Sequence, residues 1–358
     1  MQFKFLNKKI SGILTVIPDE VHYFDDEVVN YNLKPSKIKK LKKQMGFYRH
    51  RIFTRGGVTI SELATFGIKK ILNAGLINEN EIGALVVVTQ TPDYFAPPTS
   101  NIVQGRLNLP QDVYCLDIGA GCSGYVTGLI QAFQLSEHMS DKKVLLVAGD
   151  ILTFKHDRRD QHYSATGDAV SISVVENSSE FDEPIFAEAL MDGTRYDVLR
   201  SPKGSLEVLY PSNYDKYPVE DKFDFMDGAA VSYFVLYEVP PLVEKVLCTA
   251  GKNKDEIDYL LCHQPNKFLV DILADALKIP CEKVPDNVVS NFGNSASATI
   301  PINICFNLTP DIFEKTFDVC LAGFGVGLSW AAMTMKLGKL NFCEFAEYSF
   351  SEGESNRD

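Results

Sequence analysis

The stretch Val113-Tyr114-Cys115-Leu116-Asp117-Ile118-Gly119-Ala120-Gly121-Cys122-Ser123-Gly124-Tyr125-Val126-Thr127-Gly128-Leu129-Ile130 decides how this chain is read. A strand-like apolar run to Ile118 breaks through small residues into a helix-like run, and Cys122 falls at the junction. The first N–H groups of a helix lack partners and carry the positive end of its dipole. A sulfur placed there is expected to ionise more easily, and the same N–H groups can hold an oxyanion. The placement suits a thiolate nucleophile.

Around this stretch, strand-like and helix-like runs alternate: 84–89, 99–107, 113–118, 123–135 and 144–148. That rhythm predicts an α/β protein with a largely buried sheet. A second set of elements repeats the order. Glu256-Ile257-Asp258-Tyr259-Leu260-Leu261 echoes Glu81-Ile82-Gly83-Ala84-Leu85-Val86, and Leu277-Lys278-Ile279-Pro280 echoes Leu107-Asn108-Leu109-Pro110. With offsets between the copies staying near 170 to 175 residues, Gly293-Asn294-Ser295-Ala296 falls where Gly121-Cys122-Ser123-Gly124 falls in the first copy, which makes Asn294 the repeat-mate of Cys122. Two copies packed about a pseudo-two-fold axis would bring these residues together.

The 358 residues suffice for two domains or one large body, and 45% hydrophobic with 23% charged residues match a soluble globular protein. No apolar run approaches a membrane span, and Met1 to Pro18 carries no signal-peptide pattern, so a cytoplasmic protein with no membrane partner is expected. A net charge of −12 argues against nucleic acid as a partner. The exception is a basic stripe through Lys34, Lys37, Lys39, Lys40, Lys42 and Lys43 to Arg49 and Arg51. It reads either as a solvated helix face or as a dock for phosphate or an acidic carrier. Among the eight cysteines no Cys-x-x-Cys pair suggests a metal or a redox dithiol. Cys115, Cys248, Cys262, Cys305 and Cys320 lie in apolar runs and are expected to be buried, whereas Cys122 is set among Gly and Ser.

His263 follows Tyr259-Leu260-Leu261-Cys262 and precedes Gln264-Pro265-Asn266, where a strand gives way to a turn. α/β proteins place their sites at strand ends. Taken singly, His263 also reads as a structural histidine and Asn294 as a helix cap. Together with Cys122 they supply a nucleophile, a base and donors for a developing negative charge. A rival reading takes Gly119 to Gly124 as the G-x-G-x-x-G dinucleotide fingerprint, with Asp150 as the ribose ligand of an oxidoreductase. The repeat copy Gly293-Asn294-Ser295 lacks that glycine pattern, which counts against a cofactor loop.

From about Gly46 to Leu337 the chain resembles the β-ketoacyl-acyl-carrier-protein synthase III family of the thiolase superfamily. The likeness rests on Asp117 to Gly124, Gly167-Asp168-Ala169, His263-Gln264-Pro265-Asn266, Gly293-Asn294-Ser295-Ala296-Ser297 and Gly323-Phe324-Gly325-Val326-Gly327-Leu328-Ser329-Trp330, in that order. It implies a duplicated thiolase-like five-layer αβαβα fold, a homodimer, no cofactor, and a Cys-His-Asn site at the end of a pantetheine tunnel. In that picture Cys122 takes an acyl group from an acyl-CoA or acyl-carrier-protein thioester. His263 and Asn294 stabilise the enolate of a decarboxylating malonyl thioester, and the backbone N–H groups of Cys122 and Val326 hold the oxyanion. Thiolases carry a second catalytic cysteine where this chain has Gly323, which disfavours thiolase activity.

Three departures refine the expectation. The Trp and Arg that hold a CoA adenine in well-studied members are replaced near Lys40 and near Arg159-Asp160, which puts CoA as primer donor in question. Ala96-Pro97 stands where those members have a pocket-lining Phe-Pro, so a primer longer or bulkier than acetyl is expected. Lys40, Lys43, Arg49 and Lys267 are candidates for docking a carrier or its phosphate. The chain divides into an N-terminal half, 1–178, a C-terminal half, 179–340, and an acidic polar tail, 341–358, expected to be peripheral or disordered. The segment from Asn177 to Glu220 reads as loop. The overall expectation is decarboxylative Claisen condensation in fatty acid or specialised acyl-product biosynthesis. The alternatives are acyl transfer to an oxygen or nitrogen acceptor and a non-catalytic partner subunit.

Overall fold

Seven consecutive residues that are all buried, Ile82–Val88, belong in the middle of a sheet covered on both faces. The computed structural model describes residues 1–54, 57–201 and 224–349. In chain order its strands are β1 (Gln2–Phe5), β2 (Lys8–Pro18), β3 (Val21–Tyr23), β4 (Arg49–Arg51), β5 (Ile82–Val88), β6 (Tyr114–Ile118), β7 (Lys143–Asp150), β8 (Ala169–Asn177), β9 (Ile185–Met191), β10 (Leu199–Arg200), β11 (Phe225–Met226), β12 (Tyr259–Cys262), β13 (Thr316–Gly325), β14 (Ser329–Gly338) and β15 (Phe342–Tyr348). A six-stranded sheet runs β15-β2-β8-β7-β5-β6 and a five-stranded sheet runs β1-β9-β14-β13-β12.

The duplication read from the sequence reappears in the pairing. β5 lies parallel to β7, which is antiparallel to β8, itself antiparallel to β2. The second sheet repeats this with β12 parallel to β13, β13 antiparallel to β14, and β14 antiparallel to β9. Between the sheets lie two helices, Gly124–Ser136 and Thr299–Leu308, whose Tyr125, Leu129, Phe133, Ile300 and Ile304 share one core with both sheets. Helix Ile60–Asn73 covers the outer face of the first sheet. Helices Gly228–Tyr237, Val239–Thr249 and Lys267–Leu277 cover the outer face of the second. The result is five layers, αβαβα, with both central helices starting at the same seam.

Several sequence expectations change. β1, from the first half of the chain, is an edge of the second sheet, and β15, placed by sequence in the polar tail, is an edge of the first. β15 is hard to see because Glu344 and Glu347 dilute its apolar content, yet Phe342, Cys343, Ala346 and Tyr348 are buried. Residues 350–358 lie outside the described chain. Within the segment expected to be loop, Ile185–Met191 forms the inner strand β9, and residues 202–223 lie outside the description. Cys248 is exposed rather than buried, because its helix turns Val243, Val246 and Leu247 inward instead.

Gly12 of β2 has no side chain because the Phe342 ring occupies its place, only 2.2 Å from where a Cβ would sit. Phe342→Ala empties that position and is expected to cost about 3 to 4 kcal/mol of stability, as large core aromatics do when truncated. A chemical-denaturation midpoint unchanged from wild type would contradict the docking of β15.

Candidate active site

Each candidate residue stands where regular structure ends. β6 finishes at Ile118 and the helix begins at Gly124, so Cys122 occupies the connecting turn. Gly124 lets the helix start close on β5, since a Cβ there would meet Val88 Cγ1 at 2.6 Å. The tip of the β13–β14 hairpin covers the turn. A Cβ on Gly323 would lie 2.9 Å from Ser123 Cα, and one on Gly325 would lie 2.6 Å from Cys122 Cβ and 2.8 Å from its sulfur. The N–H of Val326, next in the tip, lies near enough to the sulfur to favour its ionised form.

Burial pushes the Cys122 thiol up to about 11, against the pull of the Val326 N–H, and the nearby Asp150 carboxylate adds to the rise. This reverses the expectation of an easily ionised sulfur: removal from water outweighs the donors of the helix start.

His263 follows β12, its N–H donating to Ala322 O at 2.8 Å and its ring meeting the Phe324 ring edge-on with centroids 5.7 Å apart. Its Nδ1 is 2.8 Å from the hydroxyl of Thr299, which in turn donates to Ala296 O at 2.9 Å. Its Nε2 is buried with no hydrogen-bond partner among the described residues. Burial lowers the imidazole to about 3, so it is neutral at physiological pH.

Asn294 sits in a loop clasped to the first half. Its N–H donates to Ala165 O at 2.7 Å and its carbonyl accepts from Gly167 N–H at 2.9 Å. The contact is backbone on backbone: a Cβ on Gly167 would lie 2.3 Å from Phe292 O, and one on Gly293 2.3 Å from Thr166 O. Gly293 also holds a left-handed φ of +78°. The side-chain Oδ1 accepts from Ala296 N–H at 2.9 Å, which leaves the Nδ2 amide to be offered as a donor.

The three residues are tied to one seam. His263, through Thr299, and Asn294 directly both engage Ala296, while Ser297 Cβ lies 3.3 Å from the Cβ position of Gly124, two residues after Cys122. Gly325, packed on Cys122, follows Phe324, packed on His263. The site combines a protonated thiol, an unpartnered imidazole nitrogen and a carboxamide donor. No cluster of metal-ligating side chains exists among the described residues.

The dinucleotide reading does not fit. Asp150 is fully buried and accepts from Thr89 Oγ1 at 2.9 Å, Gln90 N–H at 2.7 Å and Thr91 Oγ1 at 3.2 Å, facing the interior rather than a ribose. A Cβ on Gly121 would meet Val326 Cγ1 at 2.8 Å, so that glycine makes room for the hairpin. The docking candidates divide. Lys40 and Lys43 are exposed on the turns Pro35–Met45 and have no ion-pair partner among the described residues. Arg49 is held by Asn291 Oδ1, at 3.3 Å from Nε and 3.0 Å from Nη2. Lys267 bridges Asp271 and Asp286. Thr299 and the hairpin residue Ser329 escaped the sequence reading, although a hydroxyl opening an apolar helix and one closing a glycine turn are the available signals.

A duplicated αβαβα body with cysteine, histidine and asparagine at its central seam defines a thiolase-fold condensing enzyme. Residues 116–193 match the family model of 3-oxoacyl-[acyl-carrier-protein] synthase III, and residues 247–337 match the model of its C-terminal part. The β-ketoacyl-[acyl-carrier-protein] synthase III of Clostridium tetani is 31% identical over 303 residues, covering 83% of this chain and 89% of that protein. That of Synechocystis is 30% identical over 285 residues, covering 76% and 83%. The crystal structure of the 3-oxoacyl-(acyl-carrier protein) synthase from Burkholderia xenovorans superposes with a TM-score of 0.88 at 30% identity, covering 97% of this chain and 99% of that one. The chain belongs to the 3-oxoacyl-[acyl-carrier-protein] synthase III family.

With its thiol near 11, Cys122 should be alkylated by iodoacetamide about tenfold faster for each pH unit between 7 and 10. Peptide mass spectrometry at Cys122 reads this, and a plateau below pH 9 would contradict the burial argument.

Proposed function

We propose that this condensing enzyme carries out decarboxylative Claisen condensation, with Cys122 as acyl acceptor and His263 and Asn294 as the donors that stabilise the enolate. The observation that carries the reading is His263 Nε2, buried without a partner among the described residues, together with Asn294 Nδ2, left over as a donor once Oδ1 is used. A buried polar nitrogen without a partner is costly unless something else fills its place.

Acylation starts from a neutral thiol and a neutral imidazole. As sulfur attacks the incoming thioester carbonyl, its proton passes to His263 Nε2 and then to the departing thiol, so the acyl group moves and no charge is stranded. The malonyl thioester then loses carbon dioxide, and its carbonyl oxygen becomes an enolate held by His263 Nε2–H and Asn294 Nδ2–H. The carbanion attacks the acyl carbonyl, whose oxyanion is held by the N–H groups of Cys122 and Val326. Expulsion of the Cys122 sulfur, which takes up one proton from solvent to balance the carboxylate charge lost with carbon dioxide, releases a 3-ketoacyl thioester.

The two steps need opposite tautomers of His263. Nε2 must be bare to take the thiol proton and must carry hydrogen to hold the enolate. In the free enzyme the Thr299 hydroxyl gives its hydrogen to Ala296 O and so accepts from Nδ1–H at 2.8 Å, which leaves Nε2 bare for acylation; to support Nε2–H in the second step the hydroxyl turns from Ala296 O and donates to Nδ1. Thr299→Val keeps the shape and removes this choice; kcat is expected to fall about ten- to a hundredfold with the fold intact. A wild-type kcat in that variant would remove Thr299 from the mechanism.

We assign the acyl carrier protein as partner, with exposed Lys40 and Lys43 as its electrostatic contacts. A primer longer than acetyl fits the small Ala96 beside Phe95, which is 84% exposed. That exposure, together with the open edge strand β6 and its half-exposed Tyr114, supports a homodimer. The eight cysteines, all free thiols, suit the cytoplasm.

Intact-mass analysis with a panel of acyl-CoA and acyl-carrier thioesters, followed by carbon dioxide release from a malonyl carrier thioester, tests the reading. The expected adduct is absent in Cys122→Ala, and carbon dioxide release falls in His263→Ala and Asn294→Ala. An adduct that persists in Cys122→Ala refutes the assignment, and acyl transfer without carbon dioxide release indicates an oxygen or nitrogen acceptor. Tight saturation by acetyl-CoA alone sinks the longer primer.

A further inference from the structure

Ser123 stands immediately after the candidate nucleophile and immediately before the helix, where a serine ordinarily caps the first N–H groups. Its side chain makes no such cap. Buried and 2% exposed, the hydroxyl instead lies 2.7 Å from the hydroxyl of Ser329 across the hairpin tip. Ser329 Oγ donates to Val326 O at 2.8 Å. A hydroxyl has one hydrogen to give, so Ser329 must accept from Ser123, and the direction of the chain is fixed: Ser123 to Ser329 to Val326 O.

Both peptide units flanking the Val326 Cα are thereby held. The carbonyl on one side takes the Ser329 hydroxyl, while the tip backbone on the other side packs against Cys122, where a Cβ on Gly325 would lie 2.8 Å from the sulfur. The turn needs such a hold, because Gly325 and Gly327 lie at φ of +156° and +140° and glycine restrains the backbone least.

We infer that Ser123 and Ser329 are positioning residues that aim the Val326 N–H. In the free enzyme this donor lies beside the sulfur and favours its ionised form. Once the sulfur carries an acyl group, the same donor must be available to the thioester oxygen, and a hydrogen bond loses strength steeply as its angle opens. The latch keeps the donor on station through that exchange. Because it starts on the residue after Cys122, donor and nucleophile shift together when either moves. The inference rests on the proposal that Cys122 is acylated.

The test compares wild type with Ser123→Ala, Ser329→Ala, the double variant and Ser329→Thr. Each is read by intact mass for acyl-Cys122, by the infrared carbonyl stretch of that thioester using 13C-labelled acyl groups, and by kcat and KM. Either alanine should move the carbonyl stretch to higher wavenumber and lower kcat about tenfold or more, with KM little changed and the same melting temperature. The double variant should lose no more than the worse single one, since the two hydroxyls form one chain. Ser329→Thr, which keeps the hydroxyl, should restore the wild-type stretch. Wild-type stretch and kcat in both folded alanine variants, or fully additive losses, would overturn the latch. Should either alanine variant fail to fold, the stretch in Ser329→Thr and the other single variant still decides. If wild type itself takes no acyl group, the acylation proposal falls instead.

Discussion

The backbone of the β13–β14 tip has to lie directly on the backbone of Cys122 and Ser123, with no side chain between them. Gly323 and Gly325 permit that approach, and a methyl group at either would intrude on the turn or on the sulfur. Much else depends on it. The contact closes the seam between the two sheets and brings the Val326 N–H beside the half-buried thiol. A parallel contact, Gly167 against Gly293, closes the other side and fixes Asn294. The two copies of the fold are thus joined at the chemistry by glycines, which lets backbone donors rather than flexible side chains face the reacting group.

Burial then sets the charge state. Thiol and imidazole are both kept neutral, one raised to about 11 and the other lowered to about 3. A preformed thiolate–imidazolium pair would demand solvation that the seam does not provide. The polar groups that matter are therefore dipoles: peptide N–H, carboxamide, hydroxyl and a neutral ring. Such a set is suited to a charge that appears on substrate oxygen and disappears again within the cycle.

The sequence disclosed the skeleton of this arrangement. Cys122 could be found because a strand, a glycine break and a helix are written consecutively, and Asn294 because the duplication places it at a similar offset. His263 followed from its position after an apolar strand. What stayed hidden was whatever depends on contacts between distant segments. Thr299, Ser123 and Ser329 are ordinary polar residues until the fold sets their hydroxyls within bonding distance of His263, of each other and of Val326. The thiol's direction of shift was also misjudged, because a helix start is a local feature whereas desolvation is imposed by the distant hairpin. β9 and β15 escaped for a related reason: acidic residues, Glu188 buried in β9 and Glu344 and Glu347 exposed on β15, weaken the apolar signal, and their partners lie far along the chain.

The crossing of the two chain ends has a consequence during biosynthesis. The first sheet draws its edge strand from residues 342–348, while the second is completed by residues 2–5. As the polypeptide emerges from the ribosome, the early half cannot finish its own sheet, and β2 waits with one edge unpaired until residues 342–348 have emerged. The early strand β1 waits likewise for β9. Neither half is then a self-sufficient folding unit, so the molecule should reach its native state in a late, concerted step after its final strand is released. Until that moment the edge of β2 is a natural foothold for a chaperone, or for unwanted pairing with a neighbouring nascent chain.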